Sequence, residues 1–456
     1  MINCKTIAAI STARGKGGVA LIRISGDDAL TVALKVMRLS TDSPEPRRCY
    51  YGSILRDGDI IDDGILTYFK APSSFTGEDV CEICCHGGIY STQAVLESVL
   101  SSGAALAEAG EFTKRAFLNG KLTLTRAEAI GNVIDAKTDS QLRLSSSQAR
   151  GVLSSKLEAI REKIVSILAH AYVTIDYPDE DIDEAGRDEI GNALTFALCE
   201  LDKLKHSYRA GRAITEGIKT AIIGKPNAGK SSIYNMLLGD EVAIVTDIAG
   251  TTRDIIESTL SLGGVTLNLA DTAGIHKTED TVEKIGVERA LSKIESSELL
   301  LCVFDLSRKE TGEDQEILEA IKDKCAIAIL NKSDTPQGIS KDFEEKIKEN
   351  LPYVVYTSAK DKRGYEELCQ VVSQLYDLGK IDISNDAIIS NARQFSSVSL
   401  ALDEAKDAMT AFTLGATNDI VCTSLENALS HLDMIDARGV SEEIVSAIFS
   451  RFCVGK

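Results

Sequence analysis

Gly224-Lys225-Pro226-Asn227-Ala228-Gly229-Lys230-Ser231 is a GxxxxGK[ST] run, and its reading decides the fold of the middle of this chain. It follows the apolar run Thr220-Ala221-Ile222-Ile223, which reads as a buried parallel strand, and precedes a helical pattern from Ser232 to Leu238. The loop's backbone N–H groups therefore sit at a helix N-terminus, where unsatisfied donors cradle phosphate oxygens. Three more motifs follow in order: Asp271-Thr272-Ala273-Gly274 (DxxG), Asn331-Lys332-Ser333-Asp334 (NKxD) and Thr357-Ser358-Ala359-Lys360. Chance supplies a GxxxxGK[ST] in roughly one or two per cent of chains this long, and the other three in register exclude coincidence. Together they specify a guanine-nucleotide site.

Each motif has a physical task. Lys230 is placed to reach the β- and γ-phosphates, and the Ser231 hydroxyl to bind magnesium. Asp271, at the end of the apolar run Val265 to Ala270, would hold that magnesium through water. Asp334 is placed to accept two hydrogen bonds from guanine N–H groups. Such a charge-assisted bond contributes about 1.5–3 kcal/mol, and adenine would leave the carboxylate unpaired, so guanine is preferred. Ile275 follows the DxxG motif where many GTPases place a water-orienting glutamine. Hydrolysis must therefore recruit another group, and the acid-rich segment Glu279 to Gly286 is the candidate source. No arginine finger is evident, so another positive charge is required.

The 456 residues are enough for about three domains, and 44% hydrophobic with 26% charged residues is ordinary globular composition. No apolar run approaches the roughly 18 residues of a membrane span. The start, Met1-Ile2-Asn3-Cys4-Lys5-Thr6, has no secretory pattern. Eleven scattered cysteines suggest free thiols in a reducing compartment, and a cytoplasmic location is expected. A net charge of −19 argues against broad electrostatic capture of nucleic acid and confines any RNA contact to a restricted surface. Cys81-x-x-Cys84-Cys85-His86 lacks a second ligand pair at zinc-finger spacing, and Val80 to Cys85 alternates like a strand; buried strand cysteines are expected. The run Asp176 to Glu184 lacks the spacing and central glycine of a calcium loop, and reads as an acidic connection between helices.

Residues 1 to about 120 mix short strands (Ile7 to Ile10, Val19 to Ile24) with glycine turns and helical stretches. Helical stripes follow: Leu153, Leu157, Ile160, Ile164, Ile167 and Leu168, then Leu194, Leu198, Leu201 and Leu204. After the nucleotide domain they resume at Leu402, Ala405, Met409 and Phe412, at Leu425, Leu429 and Leu432, and at Ile444, Ile448 and Phe452. A helical bundle interrupted by an inserted nucleotide domain accounts for this pattern; a linear four-domain chain is the alternative.

Several flanking motifs select among GTPases: Phe75-Thr76-Gly77-Glu78-Asp79-Val80, His86-Gly87-Gly88, Gly110-Glu111-Phe112-Thr113, Arg115 to Leu122, Ala127-Glu128-Ala129-Ile130, and the closing Phe452-Cys453-Val454-Gly455-Lys456. With Gly250-Thr251-Thr252-Arg253-Asp254, they resemble the tRNA-modification GTPase family MnmE, also called TrmE, from the first strand to the last residue. The resemblance implies a multidomain α/β and all-α fold. Residues 1–120 would be an α+β tetrahydrofolate-binding and dimerisation domain, and residues 121–216 and 381–456 a helical domain. Residues 217–380 would be an inserted Ras-like P-loop GTPase domain.

The resemblance also implies a homodimer that joins a flavin-containing partner, MnmG (GidA), in a heterotetramer, with FAD on the partner. Together they would install an aminomethyl or carboxymethylaminomethyl group on carbon five of the wobble uridine in certain tRNAs. A tetrahydrofolate, in its 5-formyl or 5,10-methylene form, would donate the carbon. The implied GTP contacts are Asn227, Ala228, Gly229, Lys230, Ser231 and Ser232; Thr246, Asp247, Ile248, Ala249, Gly250, Thr251 and Thr252; Asp271, Thr272, Ala273 and Gly274; Asn331, Lys332 and Asp334; and Ser358, Ala359 and Lys360. Ser231 and Thr252 would hold Mg2+; Asn227, Thr246, Ile248 and Thr251 would hold K+, which would stand where an arginine finger is missing. Glu283 matches the family's proposed base, acting through a water. Arg23, Glu82, Lys121 and Lys456 match its folate contacts, and Cys453 its C-terminal cysteine, either a nucleophile or acid or a structural thiol. One departure is Ser11 to Gly18, where the family carries a Thr-Pro-Pro-Gly entry; without both prolines a looser loop is expected. Two other readings compete: a ribosome-assembly GTPase, which should carry an RNA-binding module not evident here, and a folate-sensing GTPase switch without RNA chemistry.

Overall fold

Alternation of apolar and polar residues builds the first sheet. In the computed structural model, which describes residues 5–13, 15–176, 184–239, 258–269, 294–438, 449–450, 452 and 455, Ala20, Ile22 and Ile24 are buried while Val19 is exposed and Leu21 and Arg23 are half-buried. The chain divides into two compact units, residues 1–131 with 433–456, and residues 132–432.

The first unit begins with β1 (Ile7–Ile10), β2 (Val19–Ser25), α1 (Ala29–Val36), β3 (Met37–Arg38), β4 (Cys49–Arg56) and β5 (Asp59–Phe69). It continues through β6 (Val80–His86), α2 (Ile89–Ser101), β7 (Ala105–Leu106), α3 (Glu111–Leu118) and α4 (Leu124–Asp135). The strands form one sheet in the order β3-β4-β5-β6-β2-β1-β7, antiparallel except for the parallel β1–β7 pair. One face packs Ile22, Ile24, Leu66 and Ile83 against Val32, Val36, Val95 and Val99 of α1 and α2. Cys81 and Cys85 point into this core and Cys84 is half-buried, as the strand alternation requires. Burial pushes the Cys81 thiol up to about 12 and Cys85 up to about 11, which keeps both protonated. Among the described residues no cluster of three or more His, Cys, Asp or Glu is placed to hold a metal.

The second unit opens on helices α5 (Asp139–Arg150), α6 (Val152–Asp176) and α7 (Glu184–Thr215). A capping box, in which Thr138 and Gln141 satisfy each other's backbone N–H groups, starts α5. Leu153, Leu157, Ile160, Ile164, Ile167 and Leu168 are all buried along α6. On α7 Leu194, Leu201 and Leu204 are buried, but Leu198 is half-buried because Ala197 takes the inward position beside it. The acidic residues 177–183 lie outside the described residues. The later helices, α12 and α13 below, pack as expected at Leu402, Ala405, Leu425 and Leu432, while Met409, Phe412 and Leu429 lie at the half-buried edge. Ile444 and Ile448 lie outside the described residues.

From the end of α7 the chain enters β8 (Ile218–Ile223), α8 (Lys230–Leu238), β9 (Ser258–Leu262), β10 (Val265–Leu269) and β11 (Leu299–Asp305). Next come α9 (Gly312–Ile321), β12 (Ala326–Asn331), α10 (Lys341–Asn350), β13 (Val354–Tyr356) and α11 (Tyr365–Leu375). Helices α12 (Ala392–Thr413) and α13 (Asn418–Ile435) follow, with α12 packed along α7. The strand order is β13-β12-β11-β8-β10-β9, parallel except at β9. Every residue of β11 and β12 is buried, the pattern of central strands covered on both faces. Where α7 meets the sheet, the Thr266 hydroxyl of β10 donates to the Ile214 carbonyl at 2.7 Å, and Asn268 Nδ2 donates to the Glu216 carbonyl at 2.9 Å. No helix among the described residues is long and apolar enough to cross a membrane.

Candidate functional site

Ligands of open parallel sheets bind outside the carboxyl ends of the strands, and here β8, β11 and β12 deliver their loops to one edge. Strand β8 runs into Gly224 at φ 147°, where a Cβ would lie 2.4 Å from the Val303 carbonyl oxygen. The loop turns through Asn227 at φ 62° and Gly229 at φ 101°, and Gly229 caps α8 in the left-handed conformation. Lys230 opens the helix, and its ammonium donates to the carbonyls of Gly224 and Lys225, each at 2.8 Å. That curl holds the cation at the loop where phosphate would sit.

The base-reading side is joined to this loop by one side chain. Asn331, 2% exposed at the end of β12, donates from Nδ2 to the Ala228 carbonyl at 3.1 Å. Its Oδ1 accepts from the Thr357 hydroxyl at 3.3 Å and from the Ala359 N–H at 3.4 Å. A Cβ on Gly229 would lie 2.1 Å from Asn331 Nδ2, so glycine is required there for contact as well as for backbone geometry. Lys332 reaches back as well, donating to the Asn227 carbonyl at 3.1 Å and to Asp305 Oδ2 at 2.6 Å. Burial opposes the charge on Asp305, but hydrogen bonds from Lys332 and Ser307 outweigh it and hold the carboxyl below the usual carboxylate range. Ser358 pairs with Arg363 as an antiparallel bridge, which presents Ala359 and Lys360 beside Asp334. The resulting cleft of about 490 Å³ is lined by Gly229, Ser232, Asn331, Lys332, Asp334, Ala359 and Lys360, among others.

The expected site residues from 227 to 232 and from 331 to 360 thus converge. Thr246, Asp247, Ile248, Ala249, Gly250, Thr251, Thr252, Asp271, Thr272, Ala273, Gly274 and Glu283 lie outside the described residues, as do Cys453 and Lys456.

In the first unit, register brings two expected residues together. Arg23 on β2 pairs directly with Glu82 on β6. Arg23 Nε and a terminal guanidinium nitrogen lie 2.9 and 2.8 Å from Glu82 Oε1, with the side chains 19% and 22% exposed. The guanidinium carbon lies 5.4 Å from the Phe75 ring centroid and 5.7 Å from that of Phe112. Both Arg23 contacts fall on Oε1, one oxygen of the Glu82 carboxylate. Lys121 lies against the loop that carries Phe75: its ammonium donates to the Pro72 carbonyl at 2.9 Å and its stem lies against Gly77. Beneath them Arg115, 8% exposed, bonds Glu78, Glu111 and the Lys5 carbonyl, while Ser25 donates to Glu78 at 2.7 Å. At the other end of the chain, the Ser11 hydroxyl donates to the Gly455 carbonyl at 2.9 Å.

Reading the sequence missed Asp305, Phe75 and Phe112 as site neighbours. An acid ending an apolar strand at the carboxyl edge of a sheet is a usable signal for Asp305. Phe75 and Phe112 stand inside the flanking motifs Phe75 to Val80 and Gly110 to Thr113, but those motifs do not say that both rings meet Arg23.

Two sequence-family models match the chain: the GTP-binding protein TrmE N-terminus over residues 6–121, and the MnmE helical domain over residues 124–453. The tRNA modification GTPase MnmE of Clostridioides difficile (strain 630) is 43% identical over 455 residues, 99% of each chain. That of Finegoldia magna is 41% identical over 454 residues, again 99% of each chain. Among solved structures, the FeoB G-domain from Methanococcus jannaschii is 27% identical and covers 35% of this chain and 98% of its own, with a TM-score of 0.25.

Proposed function

The chain belongs to the MnmE family of tRNA modification GTPases, and from that membership we propose that it is a potassium-activated GTPase driving modification of the wobble uridine of tRNA. Its reaction is hydrolysis of GTP to GDP and phosphate in the service of tRNA modification. The finer reading is that a homodimer works with a flavin-containing MnmG-type partner, which carries FAD, to place an aminomethyl or carboxymethylaminomethyl group on carbon five. A tetrahydrofolate supplies the carbon.

The residues present fit these groups. Ser231, in the first turn of α8, would hold Mg2+, which neutralises charge between the β- and γ-phosphates. Asn227, held at positive φ with its carbonyl bonded to Lys332, would contribute to K+. Asp334 would accept the guanine N–H groups in the cleft, and Lys230 would turn from the loop carbonyls to the phosphates. A folate's flat ring, with N–H donors on one edge, suits the Glu82 carboxylate, whose partner Arg23 lies over Phe75 and Phe112. Cations at Arg23 and Lys121 suit its carbonyls or carboxylates. Tyr51 and Ile65, paired across β4 and β5 and 71% and 41% exposed, offer an apolar surface to a second copy. A cytoplasmic setting accords with the nine described cysteines, all free thiols.

The observation that carries this reading is one chain holding both the Asp334 cleft and the Arg23–Glu82 pair. Mass spectrometry of tRNA nucleosides from a deletion strain should show wobble uridines lacking the carbon-five group, restored by the intact gene. Wobble uridines modified as in wild type would overturn the reading, whatever the GTPase activity, and would favour a folate-sensing switch or a ribosome-assembly role.

A further inference from the structure

We propose that Lys225 and Asp314 form a positioning pair that sets the phosphate loop from beneath, so that Asp314, remote in sequence from all four nucleotide motifs, controls how tightly the diphosphate is held. The inference rests on the GTP-binding reading above. Lys225 is the first variable residue of the loop, and its ammonium lies 2.6 Å from Asp314 Oδ2, with side chains only 12% and 4% exposed. The same oxygen accepts from the Thr311 N–H at 2.8 Å and the Thr311 hydroxyl at 3.1 Å, the capping box that starts α9. Asp314 is therefore fixed by the helix and cannot follow the loop. Lys225 is held at its backbone end too: its carbonyl accepts from the Lys230 ammonium at 2.8 Å and from the Ala228 N–H at 3.3 Å.

A rigid carboxylate thus fixes a side chain whose own backbone carbonyl steers Lys230 and the Ala228 amide, two groups of the phosphate cradle. Removing one member of such a buried pair leaves the other charge uncompensated and lets the loop relax. The effect should fall on the β-phosphate contacts, which GTP and GDP share, and spare the base contacts of Asp334.

The test uses the full chain and stopped-flow release of mant-GDP, with mant-GMP affinity and thermal unfolding measured in parallel. Lys225→Met should speed mant-GDP release about tenfold, a change corresponding to about 1.4 kcal/mol, and leave mant-GMP affinity as in wild type. Lys225→Arg should restore slow release, because the charge and the reach are kept. Asp314→Asn should match Lys225→Met in release, with a further drop in unfolding temperature from the weakened cap. Unchanged release in Lys225→Met, an equal loss for mant-GMP, or failure of Lys225→Arg to rescue would each overturn the pair's role. Wild-type protein that binds no mant-GDP would instead sink the GTP-binding reading itself.

Discussion

The nucleotide cleft and the Arg23–Glu82 face are both built at sheets, but by opposite means. The cleft stands at the edge of a parallel sheet whose central strands are wholly buried, and its partners are largely backbone carbonyls: those of Gly224, Lys225, Asn227 and Ala228. The Arg23–Glu82 pair stands on one face of a mostly antiparallel sheet and consists of side chains brought together by strand register. A site made of backbone tolerates little change where a Cβ would intrude. A site made of side chains changes with each substitution separately.

The largest effect should come from Gly229→Ala. The new Cβ would lie 2.1 Å from Asn331 Nδ2, at a φ of 101° that alanine rarely adopts. We expect mant-GTP binding to fall by at least about 100-fold, equivalent to about 2.7 kcal/mol, in protein whose circular dichroism is unchanged. Affinity within a few-fold of wild type would show that the loop is not the rigid backbone cradle described above. A smaller loss should follow Glu82→Gln, which keeps the shape and removes the charge. Binding of 5-formyltetrahydrofolate, followed by calorimetry, should weaken roughly tenfold, the effect of one charge-assisted hydrogen bond, while mant-GTP affinity stays. Equal folate affinity in the two proteins would remove Glu82 from the proposed site and leave its ion pair with Arg23 as its role.

The smallest effect belongs to His86, at the end of the same strand as Glu82. Its Nδ1 lies 2.6 Å from Asp62 Oδ1. The hydrogen bond to Asp62, and then its charge, raise the His86 pKa above the ordinary value of 6.5. Burial works against the charge on Asp62, but bonds from the His86 side chain and backbone lower its pKa below 3.8. The histidine's contribution to stability is full below its unfolded pKa and is lost as pH rises through its raised folded value. The aspartate's is present above its unfolded pKa and is lost as pH falls through its lowered one. The pair therefore acts in the window between those two folded values. An NMR titration should place the His86 midpoint above 6.5, and Asp62→Asn should return it there; a midpoint unmoved by that substitution would dissolve the pair.

The difference between the two sites also decides what the sequence could reveal. GxxxxGKS, NKxD and the Thr357–Lys360 run are contiguous, because a backbone cradle is made by one stretch of chain at a time. A short apolar run likewise placed Ile7–Ile10, and apolar spacing placed the stripe of α6, since both signals are local. Residue spacing alone did not join Arg23 to Glu82; resemblance to a family did. Their contact follows from pairing across 59 positions, and Phe75 and Phe112 reach Arg23 only through tertiary packing. Asp305 and Asp314 escaped for the same reason, as acids whose partners, Lys332 and Lys225, lie far off in sequence. Along the helices, the shift from Leu198 to Ala197 shows that spacing fixes which face is buried more firmly than which residue fills it.

Asn331 carries a consequence beyond placing a motif. One amide binds the phosphate loop through the Ala228 carbonyl and the base-side loop through Thr357 and Ala359. Segments 103 positions apart at 228 and 331, and 28 apart at 331 and 359, therefore vary as a set: a change at 228, 331 or 359 alters the ground on which the other two are judged. Substitutions there should be epistatic, with paired changes departing from the sum of the single ones.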